Sequence, residues 1–202
     1  MTLCIGIPGG KYPLIYADGK VTSTEGPSYV GEKVFIAHGV CWAFAGNLAR
    51  EQHLKYLEID PYKRGISFQR WFQTVLVPEW KETTDSLYDG ELDCSVLAIA
   101  GGKMWEMTSD YALIEPTLPY VCIGSGSAYA YGALVGKHLD ANSQGYTIQF
   151  VDLVPPALCV AAKLDPGVGP PFFKYTVRRG KVHRQVLDLS ARCELSLEIS
   201  GK

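Results

Sequence analysis

The residue best suited to chemistry in this sequence is Thr2. If Met1 is removed, Thr2 carries a hydroxyl nucleophile and a free α-amine on the same residue. An α-amine has an ordinary pKa of about 7.7 to 8.0, so it can accept the hydroxyl proton near neutral pH. A threonine at this position could also simply begin an edge strand, and a retained Met1 would block the amine.

Other polar residues lie where apolar runs begin or end. Asp18 closes one run, Lys33 opens another, and Gly46 follows Val40–Ala45. Ser125 lies in a Gly-Ser-Gly-Ser string, and Asp165 follows a long apolar stretch. Taken singly, these are ordinary solvated charges, turns or helix caps. Ser127 is predicted to cap the helix that follows it, which leaves Ser125 for a site.

The order of these motifs resembles that of proteasome β-type and HslV-type peptidases, which are amino-terminal-nucleophile hydrolases. The resemblance runs from Thr2 to about Val177 and would suit a divergent bacterial or phage-type homologue. Besides Thr2, it rests on four segments: Tyr16–Thr22, Glu32–Val34, Phe44–Asn47 and Ile123–Gly132.

The resemblance implies a role for each polar residue. Lys33 would favour the neutral amine and Asp18 would orient that lysine. The backbone N–H of Gly46 would stabilise the oxyanion. Ser125 would hydrogen-bond near the Thr2 amine, supported by Asp165. Position 168 departs from the family pattern, which has a serine there, so part of that supporting network is absent or replaced.

The resemblance also implies a substrate groove. Lys20 and Thr22 match strand-end positions beside it, and the Thr22 backbone would pair with an extended peptide. Phe44 matches the base of the first specificity pocket, and Asn47 follows the oxyanion residue. A bulky ring at Phe44 predicts a shallow pocket for small or medium side chains before the scissile bond.

The elements alternate in groups of strands and helix pairs, which predicts an α+β fold. We expect a four-layer αββα sandwich of two antiparallel sheets flanked by helix pairs, as a single domain over 1–202 with 181–202 a less certain C-terminal extension. Two helices are predicted to end before Pro78, and Pro155-Pro156 to delay a later helix. The predicted strands are Leu3–Ile7, Tyr12–Ala17, Lys33–Ala37, Val40–Ala45, Cys94–Ala100, Met104–Met107, Tyr111–Ile114, Tyr120–Ile123, Phe172–Val177, Val182–Leu189 and Leu195–Ile199.

Composition excludes several classes of function. The 202 residues carry a net charge of -2, which argues against nucleic acid as the main partner. No apolar run is long enough to span a membrane and no secretory signal is evident, so we expect a cytoplasmic chain. The six cysteines lack Cys-x-x-Cys spacing and are expected to be free and buried. No cofactor or metal is expected.

The resemblance implies a threonine-type endopeptidase subunit that cleaves unfolded polypeptides in a homo-oligomer of stacked rings. An unfoldase or other regulator would be a separate protein, because the chain has no ATP-binding glycine-lysine motif. Two alternatives stay open: an amidase for a small substrate on the same fold, and a non-catalytic structural ring subunit.

Overall fold

The computed structural model describes residues 2–22, 28–63, 65–85, 93–145, 147, 149–178, 181–189 and 193. It contains two five-stranded antiparallel sheets and two groups of helices, which confirms the α+β prediction. The strands are β1 (Cys4–Ile7), β2 (Leu14–Asp18), β3 (Lys20–Val21), β4 (Tyr29–Val30), β5 (Val34–Ala37), β6 (Val40–Gly46), β7 (Cys94–Ala100), β8 (Lys103–Met107), β9 (Leu113–Ile114), β10 (Val121–Ile123), β11 (Phe172–Arg178) and β12 (Lys181–Leu187).

The strand order is β10-β1-β2-β11-β12 in the first sheet and β5-β6-β7-β8-β9 in the second. β3 and β4 form a separate small antiparallel pair. The predicted strand at Tyr111 begins only at Leu113. The predicted last strand, 195–199, lies outside the described residues.

Three apolar clusters define four layers. One cluster lies between the two sheets and includes Ile15, Leu97 and Met104. A second packs helices α4 (Ser127–Ser143) and α5 (Phe150–Leu164) on the first sheet. The third packs helices α1 (Leu48–Tyr56), α2 (Phe68–Trp71) and α3 (Val77–Asp85) on the second sheet. Each sheet therefore buries both faces, as in the predicted αββα sandwich.

Three prolines lie inside helices, although the sequence predicted that they would end or delay them. A π-helical segment, Phe72–Leu76, joins α2 to α3 and widens the turn before Pro78, which accommodates the missing proline N–H. Helix α5 begins at Phe150 and contains Pro155 and Pro156. Each interior proline costs about 3 kcal/mol, so the two prolines of α5 together cost about 6 kcal/mol. Burial of Leu153, Val154 and Leu158 contributes about 1.5 to 3 kcal/mol each and offsets that cost.

Two further local predictions are wrong. Ser127 is the first residue of α4 rather than its cap; Gly126 occupies the cap position, and no side chain caps the helix there. Cys159 on α5 forms a disulfide with Cys193, 34 residues away, although all six cysteines were expected to be free. The other four cysteines are free and buried. No helix in the described part of the chain is long and apolar enough to cross a bilayer.

Candidate active site

Strand ends bring the polar residues together at one end of the sandwich. Thr2 and Leu3 directly precede β1, and Asp18 ends the neighbouring strand β2. In the second sheet, Lys33 directly precedes β5, and Gly46 ends β6. Neighbouring antiparallel strands run in opposite directions, so the start of one strand and the end of the next lie at the same end of the sheet. Residues distant in sequence therefore meet there.

Asp18 is the most connected group at this end. Its side chain is fully buried, and Oδ1 accepts hydrogen bonds from Lys33 Nζ at 2.5 Å and from the Leu3 N–H at 2.8 Å. Thr2 Oγ1 lies 3.4 Å from the same oxygen, and Oδ2 accepts from the Gly169 N–H at 3.2 Å. Burial raises the pKa of Asp18, and Lys33 and these N–H donors oppose that rise.

Thr2 is held from its other side by the turn before α4. The Thr2 N–H donates to Ser125 Oγ at 3.2 Å, and the Thr2 carbonyl accepts from the Gly126 N–H at 3.3 Å. A Cβ on Gly124 would lie 2.3 Å from the Thr2 carbonyl oxygen. Gly124 also has φ +99°, a conformation that favours glycine. The Gly-Ser-Gly string therefore shapes the backbone that receives Thr2.

Gly46 borders Thr2 on the side of the second sheet. It has φ +146°, and a Cβ there would lie 2.5 Å from the Asp93 carbonyl oxygen, so the backbone path requires glycine. Asn47 caps α1 because its Oδ1 accepts from the Ala49 N–H at 2.9 Å. Gly46 thus stands at a strand-to-helix junction that is open beside Thr2.

Two cavities adjoin both Thr2 and Gly46. The Ser125 cavity, about 600 Å³, is lined by Ser125, Ser95, Thr108 and Glu106, among others. Burial raises the pKa of Glu106. This cavity lies beside the turn that holds the Thr2 nitrogen.

The Phe44 cavity, about 490 Å³, lies on the side of the small β3–β4 hairpin. It is lined by predicted groove residues Thr22, Phe44 and Asn47, together with Glu51 from α1. Lys20 lines neither cavity; its Nζ donates to the Pro166 carbonyl at 2.6 Å. Three of the four predicted substrate-binding residues thus share one cavity.

Asp165 organises a turn rather than contacting Ser125. It is the C-cap of α5, and its Oδ1 accepts from the Gly167 N–H at 2.8 Å. Within the described part of the chain, its buried Oδ2 has no hydrogen-bond partner. The turn leads to Gly169, the donor to Asp18. Asp165 therefore influences the site through the loop that follows it.

Some residues of this site were not singled out from the sequence. Gly169 sits in a Gly-Pro-Pro loop that suggests only a turn, and Gly124 appeared only as part of a motif. Glu51 was missed although it precedes the buried Leu54 by three residues, a spacing that places both on one helix face. The described residues include no cluster of three His, Cys, Asp or Glu side chains able to hold a metal ion.

Several solved structures share this fold at low sequence identity. BPH of Thiobacillus denitrificans, solved in complex with epoxomicin, has a TM-score of 0.66 and 17% identity over 88% of this chain and 98% of its own. Eukaryotic HslV from Trypanosoma brucei has a TM-score of 0.58 and 19% identity, with 88% and 100% covered.

The Anbu complex of Pseudomonas aeruginosa, solved as a helical assembly, has a TM-score of 0.66 and 15% identity, with 95% and 91% covered. Neither protein-family models nor curated proteins give a match to this sequence. At these identities the likeness extends to the fold, which this chain shares with BPH, HslV and Anbu.

Proposed function

We propose that this chain is a threonine-type endopeptidase whose nucleophile is Thr2 after removal of Met1. The observation that carries the proposal is the shared contact at Asp18 Oδ1, which lies 2.5 Å from Lys33 Nζ and 3.4 Å from Thr2 Oγ1. A buried lysine-aspartate pair aimed at a hydroxyl is costly to maintain for stability alone. Its position is well suited to activating that hydroxyl.

In the proposed reaction, the neutral α-amine of Thr2 takes the proton from Oγ1 as that oxygen bonds to the substrate carbonyl carbon. The positive charge of Lys33 favours the unprotonated amine and stabilises negative charge on Oγ1. The Gly46 N–H stabilises the oxyanion. Collapse breaks the C–N bond, and the amine returns its proton to the departing nitrogen. Water activated by the same amine then hydrolyses the ester.

Ser125 and Asp165 have supporting parts in this proposal. Ser125 Oγ lies 3.2 Å from the Thr2 nitrogen, so it can orient the free amine toward Oγ1. Asp165 positions the turn that ends at Gly169, whose N–H holds Asp18.

The substrate in this proposal is extended polypeptide. Its residues before the scissile bond would lie along Thr22, with the nearest side chain in the Phe44 cavity and Asn47 at the rim. The leaving side would enter the Ser125 cavity. Because Lys20 is engaged by Pro166, we assign it to fixing the edge of the groove.

We further propose that the chain acts as a single-domain subunit of a cytoplasmic, self-compartmentalised homo-oligomer of stacked rings, fed by a separate ATP-dependent unfoldase or other regulator. The fold shared with the Anbu complex, solved as a helical assembly, supports an oligomer. Light scattering and electron microscopy of the purified chain would test this, and a monomer at micromolar concentration would contradict it.

The central experiment measures cleavage of denatured casein and of peptides, together with intact mass. We expect loss of Met1, activity sensitive to epoxomicin, and no activity in Thr2→Ala. Thr147→Ala, at an exposed threonine remote from the site, is the matched control. Activity that persists in Thr2→Ala would refute the proposal. Hydrolysis of small amides without casein cleavage would favour the amidase alternative.

A further inference from the structure

The Phe44 cavity contains a buried carboxylate that the proposed mechanism does not use. Glu51 lies on α1, is 8% exposed, and lines the cavity together with Phe44, Thr22 and Thr2. Within the described residues, its carboxylate has no hydrogen bond or ion pair. An unpaired buried charge is costly unless a partner arrives, so this group has the character of a recognition element.

The other charges that line this cavity already have partners. The Lys33 ammonium is paired with Asp18, and the Glu32 carboxylate is paired with Arg184. Among the described residues that line the cavity, Glu51 is therefore the charged group without a direct ion pair. A cationic side chain that entered would complete the balance, and its aliphatic stem would lie against the ring of Phe44.

We infer that the Phe44 cavity receives the side chain of a lysine or arginine immediately before the scissile bond, with Glu51 as its counter-ion. This inference rests on the proposed function and replaces the expectation, drawn from Phe44 alone, that small or medium side chains are preferred. A cavity of about 490 Å³ accommodates a long side chain. Glu51 is thus a specificity residue, distinct from the groups that activate Thr2.

The preference for a cation follows the ionisation of Glu51. Burial raises the pKa of Glu51 to about 7, and the positive charges of Lys55 on the same helix and of Lys33 oppose that rise. The Cys4 thiol also interacts electrostatically with Glu51, but burial raises the pKa of Cys4 to about 12, so the thiol stays neutral. The carboxylate is charged at pH 8 and largely neutral at pH 6. Selectivity for cations over neutral side chains therefore rises across this range.

The decisive measurement compares matched peptides with arginine, lysine or norleucine before the scissile bond. In the wild type we expect kcat/KM for arginine to exceed that for norleucine by about 10-fold or more at pH 8. In Glu51→Gln this ratio should fall to about 1, because the loss of arginine cleavage exceeds any change in norleucine cleavage, whereas Glu58→Gln, at an exposed residue just beyond α1, should leave the ratio unchanged. The ratio cancels the titration of the Thr2 amine, which affects all peptides equally.

A second measurement separates this inference from the proposed function. Binding of the same labelled peptides to Thr2→Ala, with and without Glu51→Gln, is followed by fluorescence polarisation and needs no catalysis. We expect arginine peptides alone to bind about 10-fold more weakly when Glu51 is changed. Equal binding of arginine and norleucine peptides, or equal effects of Glu51→Gln on both, would overturn the inference. Failure of the wild type to cleave any peptide would count against the proposed function only.

Discussion

Asp18 and Glu51 are two buried carboxylates at the same end of the sandwich, and they differ in how their charge is compensated. Asp18 contacts the Lys33 ammonium, two backbone N–H groups and the Thr2 hydroxyl. Glu51 lines an open cavity, and its carboxylate has no hydrogen bond or ion pair with the described residues. The difference indicates that the first charge is part of the fixed scaffold, while the second is available to a ligand.

The change with the largest expected effect is Asp18→Asn. It leaves the Lys33 ammonium buried without a counter-charge, and breaking a buried pair in this way costs about 3 to 5 kcal/mol. We expect that loss in the free energy of unfolding, measured by urea denaturation, with at least about a 100-fold loss of peptide cleavage.

The double variant Asp18→Asn/Lys33→Met tests whether the pair, rather than the aspartate alone, carries this effect. Because it removes both charges, it should recover part of the lost stability and none of the activity. If the two single changes are additive in stability, the charges are not coupled and the comparison with Glu51 fails.

Glu51→Gln should raise the free energy of unfolding above pH 7, whereas Asp18→Asn lowers it. The pKa of Glu51 is raised in the folded state to about 7 from an ordinary value of 4.5. A raised carboxyl pKa means that the folded wild type loses stability as pH rises from about 4.5 to 7, because the unfolded chain ionises more readily. The variant should therefore match the wild type near pH 4 and be more stable by about 2 to 3 kcal/mol at pH 8. Denaturation at both pH values measures this, and an equal difference at both would contradict it.

Gly124→Ala sharpens the comparison without changing any charge. A Cβ there would lie 2.3 Å from the Thr2 carbonyl oxygen and would displace Thr2 from Asp18. We expect a loss of about 2 kcal/mol, through steric overlap and the strain of a positive φ, and a large loss of cleavage. In Gly132→Ala, where no atom lies within 4 Å of the added Cβ on α4, a gain of about 0.5 to 1 kcal/mol is expected. Equal effects of the two would show that Thr2 is not tightly held.

The alternation of strands and helix pairs was enough to predict the layers, because periodicity reports which faces are buried. Periodicity could not predict where α5 begins. Helix rules for proline consider only the local backbone, whereas α5 is stabilised by the burial of Leu153 and Leu158 against the rest of the fold. The disulfide between Cys159 and Cys193 was missed for the same reason, since spacing in sequence does not say which segments pack on α5.

The candidate site shows the same division. Asp18 and Lys33 were named from their motifs, and the structure places them in contact. No motif marks Glu51, which appears in sequence as one polar residue of α1. Its burial depends on how α1 packs beside Phe44, a fact of the assembled sandwich.

The smallest effect is expected for Asp165→Asn, and it extends the comparison to a third carboxylate. The asparagine oxygen can still accept from the Gly167 N–H, so the turn is kept. The variant also removes a charge whose Oδ2 is buried and has no hydrogen-bond partner in the described chain. The cost of burying an amide N–H₂ offsets this gain, so we expect less than about 1 kcal/mol change in unfolding and less than about a 10-fold change in kcat/KM.

The matched control is Asp165→Ala, which loses the acceptor and should loosen the turn before Gly169, the donor to Asp18. Loss of cleavage beyond about 100-fold in Asp165→Asn, with stability unchanged, would show that the carboxylate itself acts on Thr2 through Ser125. Asp165 would then belong with Asp18 as a charged member of the site. The expected result instead makes Asp18 the carboxylate on which activity depends and limits Asp165 to holding the backbone that supports it.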